Sequence, residues 1–182
     1  MDVFEAMQGR RSVRRYADRP VDDATLDRVL EAARQAPSWA NTQCWRFVVD
    51  RDAETKRRIA EAMPEGNPAR KAVAQAPVAI CACAQTDISD FFKGRASTAL
   101  DDWYLFDLGL AVSQLTLAAH ALGLGTVHVG LIDVQKVGEI LGLPADVRFV
   151  EVLPLGYPDH EPKPTPRKPL AELVRRDKWE QG

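Results

Sequence analysis

The sequence predicts one α/β or α+β domain in which helices cover both faces of a sheet. Segments with helical spacing alternate with a handful of short strand-like segments, which is the pattern of such layered folds. Residues 78–84 are an uninterrupted apolar run of strand length, as expected when both faces of a strand are buried. The chain has 182 residues and no internal repeat, enough for one sizeable core, so we expect a single domain over residues 1–182.

The helices are predicted from apolar side chains that recur every three or four residues. In the first helix, residues 2–9, Asp2 is the cap and Val3, Phe4 and Met7 form the apolar stripe. The second helix begins after Asp22 and ends before Pro37. Its stripe consists of Leu26, Val29, Leu30 and Ala33, and further helices are predicted over residues 52–63, 98–122 and 133–141.

The strands are predicted from short apolar segments between these helices, and the tail from its prolines. Five of the twelve prolines lie beyond Gly156, so residues 157–182 cannot build a core of their own. With apolar side chains at Leu170, Leu173 and Val174, this tail is expected to be an arm that embraces a partner subunit. The predicted strands are residues 46–50, 78–84, 126–129 and 147–153.

Charge and hydropathy exclude two classes of partner. The formal net charge is -2, which offers no overall attraction to nucleic acid or anionic lipid. Residues 108–132 carry no charge and could span a bilayer by length alone, but Gln114, His120 and four glycines indicate a helix buried in protein. The first residues lack the features of a secretory signal, so we expect a cytoplasmic protein.

The three cysteines predict neither a disulfide nor a metal centre. Cys44, Cys81 and Cys83 are odd in number, and no His or further Cys stands near them at the spacing of zinc ligands. Reduced thiols fit this pattern best. Cys81 and Cys83 are expected in a buried strand.

A basic segment follows the first helix and is the first candidate for a binding site. Arg10, Arg11, Ser12 and Arg14 bring three guanidinium groups and a hydroxyl into five residues, a set of donors that suits a phosphate dianion. The alternative is a solvated basic turn. A second polar segment, residues 37–45, lies between the second helix and the first strand.

These two segments together resemble the nitroreductase family of FMN-dependent oxidoreductases. The resemblance rests on the basic segment, on Pro37, Ser38, Asn41 and Gln43, and on later segments, and it covers nearly the whole chain. Cys44 departs from it, since a proline is usual there. The later segments are residues 107–111, 121–125 and 155–158. The resemblance implies a three-layer sandwich with a mostly antiparallel sheet, and an interlocked homodimer with FMN at its interface.

The resemblance also implies which residues approach the flavin. Arg10, Ser12 and Arg14 would hold the phosphate, the ribityl chain and the pyrimidine side, with Arg11 as a neighbour. From the partner subunit would come Pro37, Ser38 and Asn41, together with Gln43.

Further positions are implied around the flavin ring and at the phosphate. Lys71 would lie beside the N1 and O2 edge, or else be an exposed helical lysine. A backbone donor at Val129 or Gly130 would address N5, with His128 beside the ring and not a source of a catalytic proton. Arg167, on the arm, would be a second contact to the phosphate.

The implied chemistry needs no catalytic side chain, because a flavin carries it. We expect a ping-pong reaction in which NADH or NADPH reduces the flavin and a nitroaromatic, a quinone or a free flavin is reduced next. Alternatives are a specialised relative, such as a dehalogenase, an enoate-type reductase or a flavin-fragmenting enzyme, and a non-catalytic FMN-binding module. The conformation of residues 86–97, where the acceptor is expected to bind, is left open by the sequence.

Overall fold

The computed structural model describes residues 1–100 and 102–179 and has an antiparallel sheet at its centre. The four strands lie in the order β1-β2-β6-β5, and every pair of neighbours is antiparallel. A separate two-stranded hairpin is formed by β3 and β4. The strands are β1 (Trp45–Asp50), β2 (Val78–Gln85), β3 (Phe91–Phe92), β4 (Arg95–Ala96), β5 (Gly125–Thr126) and β6 (Val147–Gly156).

Aspartate caps begin four of the helices. Asp2, Asp22, Asp52 and Asp133 each accept a hydrogen bond from a backbone N–H of the first turn, which would otherwise lack a partner. The helices are α1 (Val3–Gly9), α2 (Asp23–Arg34), α3 (Ala53–Glu61), α4 (Arg70–Gln75), α5 (Tyr104–Ala121), α6 (Val134–Leu141) and α7 (Leu170–Leu173), with a single 3₁₀ turn at Trp39–Asn41.

Two apolar cores lie on opposite faces of the sheet. Side chains alternate along β2, so that Ile80 faces the helices α2 and α5 while Cys81 faces α3, α4 and α6. Leu153 of β6 is fully buried in the first core, and Val152 in the second. Helices on both faces of a mostly antiparallel sheet confirm the predicted fold class.

The prediction of a long helix over residues 98–122 is wrong at its beginning, because α5 starts at Tyr104. The carboxylate of Asp90 accepts hydrogen bonds from Thr98 N at 3.0 Å and from Thr98 Oγ1 at 2.7 Å. Asp102 Oδ1 accepts one from Tyr104 N at 3.1 Å. Residues 97–100 accordingly form bends and turns, since short polar side chains compete with helical hydrogen bonding.

Two other elements differ from the sequence prediction. The strand predicted over residues 126–129 is reduced to β5 and a single bridge between Val129 and Val152. Helix α4 was not predicted at all. It has only six residues, and its N-cap residue, Ala69, has no side chain that could cap it.

The tail extends away from the core of the protomer. Beyond Pro162 every described residue is exposed, including the apolar side chains of Leu170, Leu173 and Trp179. Residues 180–182 of the predicted arm lie outside the described part of the chain. In residues 1–100 and 102–179, no helix combines the length and the apolar character that crossing a bilayer requires.

We predict that Leu153→Ala lowers the free energy of unfolding by about 2–5 kcal/mol, because it leaves a cavity in a close-packed core. The matched control is Val49→Ala on the edge strand β1, where the side chain is 37 % exposed, with an expected loss below about 1 kcal/mol. Urea denaturation measures both. Equal losses in the two variants would contradict this description of the core.

Candidate functional site

The basic segment is docked along one edge of the sheet. Val13 N donates a hydrogen bond to Thr126 O at 2.9 Å, and Ser12 forms a parallel bridge with Thr126. The hydroxyl of Tyr16 lies 3.0 Å from Pro154 O of β6, and Ala17 N donates to Tyr157 O at 2.8 Å. The backbone of the segment is therefore anchored to the sheet with Val13 buried, while Arg10 and Arg11 are half-buried and Arg14 is exposed.

Two glycines make this docking possible. A Cβ atom on Gly125 would lie 2.5 Å from a methyl carbon of Val13, closer than packed atoms approach. A Cβ atom on Gly156 would lie 2.7 Å from Cδ of Pro77 and 3.0 Å from Cδ1 of Tyr16. Gly125, which follows α5, and Gly156, which ends β6, thus leave the space that the basic segment occupies.

Arg10 and Arg11 line a cavity of about 430 Å³ between the basic segment, the end of α5 and the start of the arm. His120 lies in its wall, and burial, followed by the positive charges of Arg10 and Arg11, lowers the pKa of this imidazole. Arg11 also donates to Gln8 O at 2.5 Å, which satisfies a carbonyl at the end of α1. Two guanidinium groups, which suit an anion, line this concave site together with one carboxylate, that of Glu161.

Sequence reasoning missed part of this wall. Thr116, His120 and His160 line the cavity but lie far along the chain from the basic segment. The docking of α1 on α5 places His120 there: a Cβ atom on Gly9 would lie 2.6 Å from His120 Nε2. No local pattern marks such residues, because their proximity arises only from packing.

Arg14 faces a different and smaller cavity, of about 160 Å³, which it shares with Lys71. Lys71 is thus an exposed lysine on helix α4. The shared cavity also makes it a neighbour of Arg14. Just before α4, Asn67 Nδ2 donates to Leu131 O at 3.3 Å. Arg14, Lys71 and the Gly130–Leu131 backbone thus follow one another along the same edge of the protomer.

Of the two backbone donors proposed for flavin N5, the sheet occupies one. Val129 N donates to Val152 O at 3.2 Å, whereas Gly130 N–H has no acceptor among the described residues. A Cβ atom on Gly130 would meet nothing within 4 Å, so the chain is not crowded on that side of this residue. The structure thus leaves Gly130 as the available donor. His128 is 45 % exposed, and its Nδ1 lies 3.0 Å from Glu151 Oε2.

The second polar segment lies at the opposite end of α5. Trp39 N donates to the carboxylate of Asp107 in the first turn of α5, at 3.0 Å. Ser38 Oγ accepts from Gln43 N at 2.9 Å, and Gln43 Nε2 donates to Asn41 Oδ1 at 3.2 Å. Pro37 begins this segment, and residues 37–43 are called the 37–43 loop below.

One protomer does not bring the two predicted groups of flavin contacts together. The loop at Ser38 is bonded to Asp107, and the basic segment adjoins His120. At 1.5 Å per residue these two positions of α5 are about 20 Å apart. Arg167 is also apart from the basic segment: its guanidinium bonds to Thr165, at 2.7 Å from Oγ1, and to adjacent carbonyls on the exposed arm.

The cysteines are free and buried, as the sequence indicates. Burial raises the pKa of Cys44 and of Cys83 to about 12, and it raises the pKa of Cys81 as well, so all three stay protonated thiols near neutral pH. Within residues 1–100 and 102–179, no group of three or more His, Cys, Asp or Glu side chains could hold a metal ion.

Comparison with known proteins agrees with this architecture. The model of the nitroreductase family matches residues 7–157. The chain belongs to the nitroreductase family. This membership confirms the family that the motifs of the sequence indicated.

Individual relatives of this nitroreductase-family protein cover almost all of the chain. An FMN reductase [NAD(P)H] of Bacillus subtilis is 34 % identical over 98 % of this chain and 74 % of the relative. A 5,6-dimethylbenzimidazole synthase of Rhodospirillum rubrum is 30 % identical over 96 % of this chain and 88 % of the relative. The crystal structure of nitroreductase A from Vibrio parahaemolyticus superposes with a TM-score of 0.82 at 27 % identity, covering 100 % of this chain and 78 % of that one.

We predict that Gly125→Ala displaces the basic segment, because its new methyl group would overlap the side chain of Val13. Overpacking of this kind costs about 1–3 kcal/mol of unfolding free energy. The matched control is Gly138→Ala in α6, where a Cβ atom would meet only Leu143 Cδ1 at 4.0 Å and helix propensity improves. Thermal unfolding compares the two. A Gly125→Ala protein as stable as the Gly138→Ala protein would refute the docking described above.

Proposed function

We propose that this protein is a reductase with FMN as its cofactor, which takes hydride from NADH or NADPH and delivers it to a small oxidised acceptor. The observation that carries the proposal is the basic segment, held by Thr126 and Gly125 against the sheet of a nitroreductase-family fold. The relative named as an FMN reductase supports both the cofactor and the donor.

The residues present fit a flavin nucleotide. Arg10 and Ser12 would hold the phosphate and the ribityl chain, since guanidinium groups make charge-assisted hydrogen bonds to phosphate. Arg14 and Lys71 place two positive charges at the next cavity, where they favour negative charge on the pyrimidine side. Gly130 N–H would point to the ring edge. When bound, FMN supplies the hydride chemistry, so the protein needs no nucleophile or acid–base pair.

We propose that the site is completed by a second copy of the chain. In a two-fold dimer that pairs α5 with its partner in antiparallel fashion, the N-terminal end of one helix lies beside the C-terminal end of the other. The partner's 37–43 loop would then reach the basic segment and supply Pro37, Ser38, Asn41 and Gln43. Leu105 and Phe106, both 56 % exposed on α5, offer the apolar surface that such a pairing needs.

The first helix and the arm extend this apolar surface. On α1 the side chains of Val3, Phe4 and Met7 are more than half exposed, although they form the stripe that a helix normally buries. We propose that they pack against the partner, and that residues 157–182 wrap around it and bring Arg167 to the phosphate. The chain is thus one domain with an arm, and its proposed location is the cytoplasm.

A specialised reaction within the family is the second candidate. It is favoured by the relative named as a 5,6-dimethylbenzimidazole synthase, which covers nearly the whole chain. Initial rates separate the candidates: parallel double-reciprocal lines with a quinone or nitroaromatic acceptor support the ping-pong reductase. NADH oxidation that consumes dioxygen while no quinone or nitroaromatic is reduced, together with a new flavin-derived product, would support the specialised reaction.

We predict that replacing Arg10 and Ser12 by Ala together releases FMN while a folded dimer remains, because the phosphate loses charge-assisted partners. Dialysis followed by absorption spectroscopy measures the flavin content, and size-exclusion chromatography the dimer. Arg28→Ala, on the exposed face of α2, is the matched control that removes a charge elsewhere. A double variant that keeps its full flavin content would remove the basic segment from the site.

We predict complementation between two defective variants. Arg10→Ala and Asn41→Ala chains, co-expressed with different tags, form hybrid dimers in which one site carries both changes and the other carries none. Random pairing then restores about one quarter of the wild-type high-affinity FMN sites in the mixture. If both side chains belonged to a site within one protomer, mixing would restore no such sites.

A further inference from the structure

A buried carboxylate stands at the point where the 37–43 loop meets α5. Asp107 is only 1 % exposed, and both of its oxygens accept from Trp39 N, at 3.0 and 3.1 Å. Oδ2 also accepts from Ser89 Oγ at 2.5 Å, and Cys44 Sγ lies 3.8 Å from it. Asp107 thus connects three segments of the chain: the loop, the start of β1 and the residues before the β3–β4 hairpin.

Hydrogen-bond donors from two other segments of the chain surround the Asp107 carboxylate. Backbone N–H and hydroxyl donors converge on the carboxylate, and the first turn of an 18-residue helix stabilises negative charge. Burial, with Asp107 as a further cause, raises the pKa of Cys44 to about 12, so its sulfur stays a neutral donor. An asparagine at position 107 would place its amide NH₂, which is a hydrogen-bond donor, beside the groups that donate to Asp107.

The loop that Asp107 anchors has an unfavourable backbone. Ala40, Asn41 and Gln43 have φ angles of 43°, 58° and 50°, in the left-handed region that favours glycine. Thr42 N donates to Trp39 O at 2.9 Å, so the anchored residue also closes the turn. Such backbones persist only where surrounding contacts determine them, and they concentrate at functional sites.

We infer that Asp107 is a positioning residue of the flavin site. By holding Trp39 N–H it keeps the 37–43 loop in its left-handed conformation, which presents Ser38 and Asn41 outward. Through Ser89 the same carboxylate fixes the beginning of the segment where the acceptor is expected. This inference rests on the proposed function, because the contacts of Ser38 and Asn41 with FMN belong to that proposal.

The first test is Asp107→Asn, which preserves shape and removes charge. Losing a charge-assisted buried hydrogen bond should weaken FMN binding about tenfold in a fluorescence titration. In the protein stripped of FMN, backbone hydrogen exchange should accelerate at residues 39–43. The control is Asp102→Asn: this aspartate also bonds at the start of α5, to Tyr104 N, and to Asp87 N, but among the described residues it makes no hydrogen bond to the loop. Its exchange at residues 39–43 should match that of the wild type.

A second substitution separates positioning from core stability. Glycine adopts the left-handed region without steric cost. Ala40→Gly should therefore make the conformation of the loop less dependent on the hydrogen bond between Trp39 N and Asp107. In the Asp107→Asn protein, we expect Ala40→Gly to raise FMN affinity at least about threefold. In the wild-type protein, we expect the same substitution to change FMN affinity less than about twofold. Absence of this rescue, with exchange accelerated throughout the protein, would show that Asp107 only stabilises the core.

The role of Asp107 is also tested by the remaining outcomes. Unchanged exchange at residues 39–43 and FMN affinity within about twofold of the wild type would overturn the role of Asp107. If Asp107→Asn does not fold, Ser89→Ala removes one donor only, and faster exchange at residues 39–43 supports the inference while unchanged exchange overturns it. A wild-type protein that binds no FMN would refute the proposed function, whereas the exchange measurement would still test Asp107.

Discussion

The contact between the basic segment and the edge of the sheet is the constraint on which the rest of the site depends. The hydrogen bond from Val13 N to Thr126 O fixes the segment, and Gly125 provides the space for Val13. Arginine side chains are flexible, and ordering such a side chain together with its backbone has a high entropic cost. Arginines therefore form a defined anion site only where the backbone is already held in place. The cavity beside Arg10 is a consequence of this docking.

Helix α5 organises the molecule around that contact. Its buried side fills the first core, its C-terminal end carries His120 into the wall of the cavity, and its N-terminal turn holds the 37–43 loop through Asp107. Because the two ends are far apart, the residues proposed to contact the flavin fall into two separate groups on one protomer. In the proposed function these two groups meet only in a dimer, so flavin binding would require dimerisation.

Much of the framework could be predicted from the sequence because its signals are local. Asp2 and Asp22 cap helices in the sequence as they do in the structure, and the apolar run of β2 is buried on both faces. The start of α5 was predicted too early, since the competing partner of Thr98 is Asp90, eight residues away and without a recognisable motif. Helix α4 was missed because it lacks a cap.

By itself the sequence determined the family, the order of most elements and the residue types of the candidate anion site, because motifs and periodicity involve residues that are neighbours along the chain. Only the tertiary structure decided that Arg10 meets His120, that Lys71 lies beside Arg14 and that Asp107 anchors Trp39. It also decided that Val129 N–H belongs to the sheet. These relations join residues far apart along the chain, and they arise when helices and strands pack, which no local pattern records.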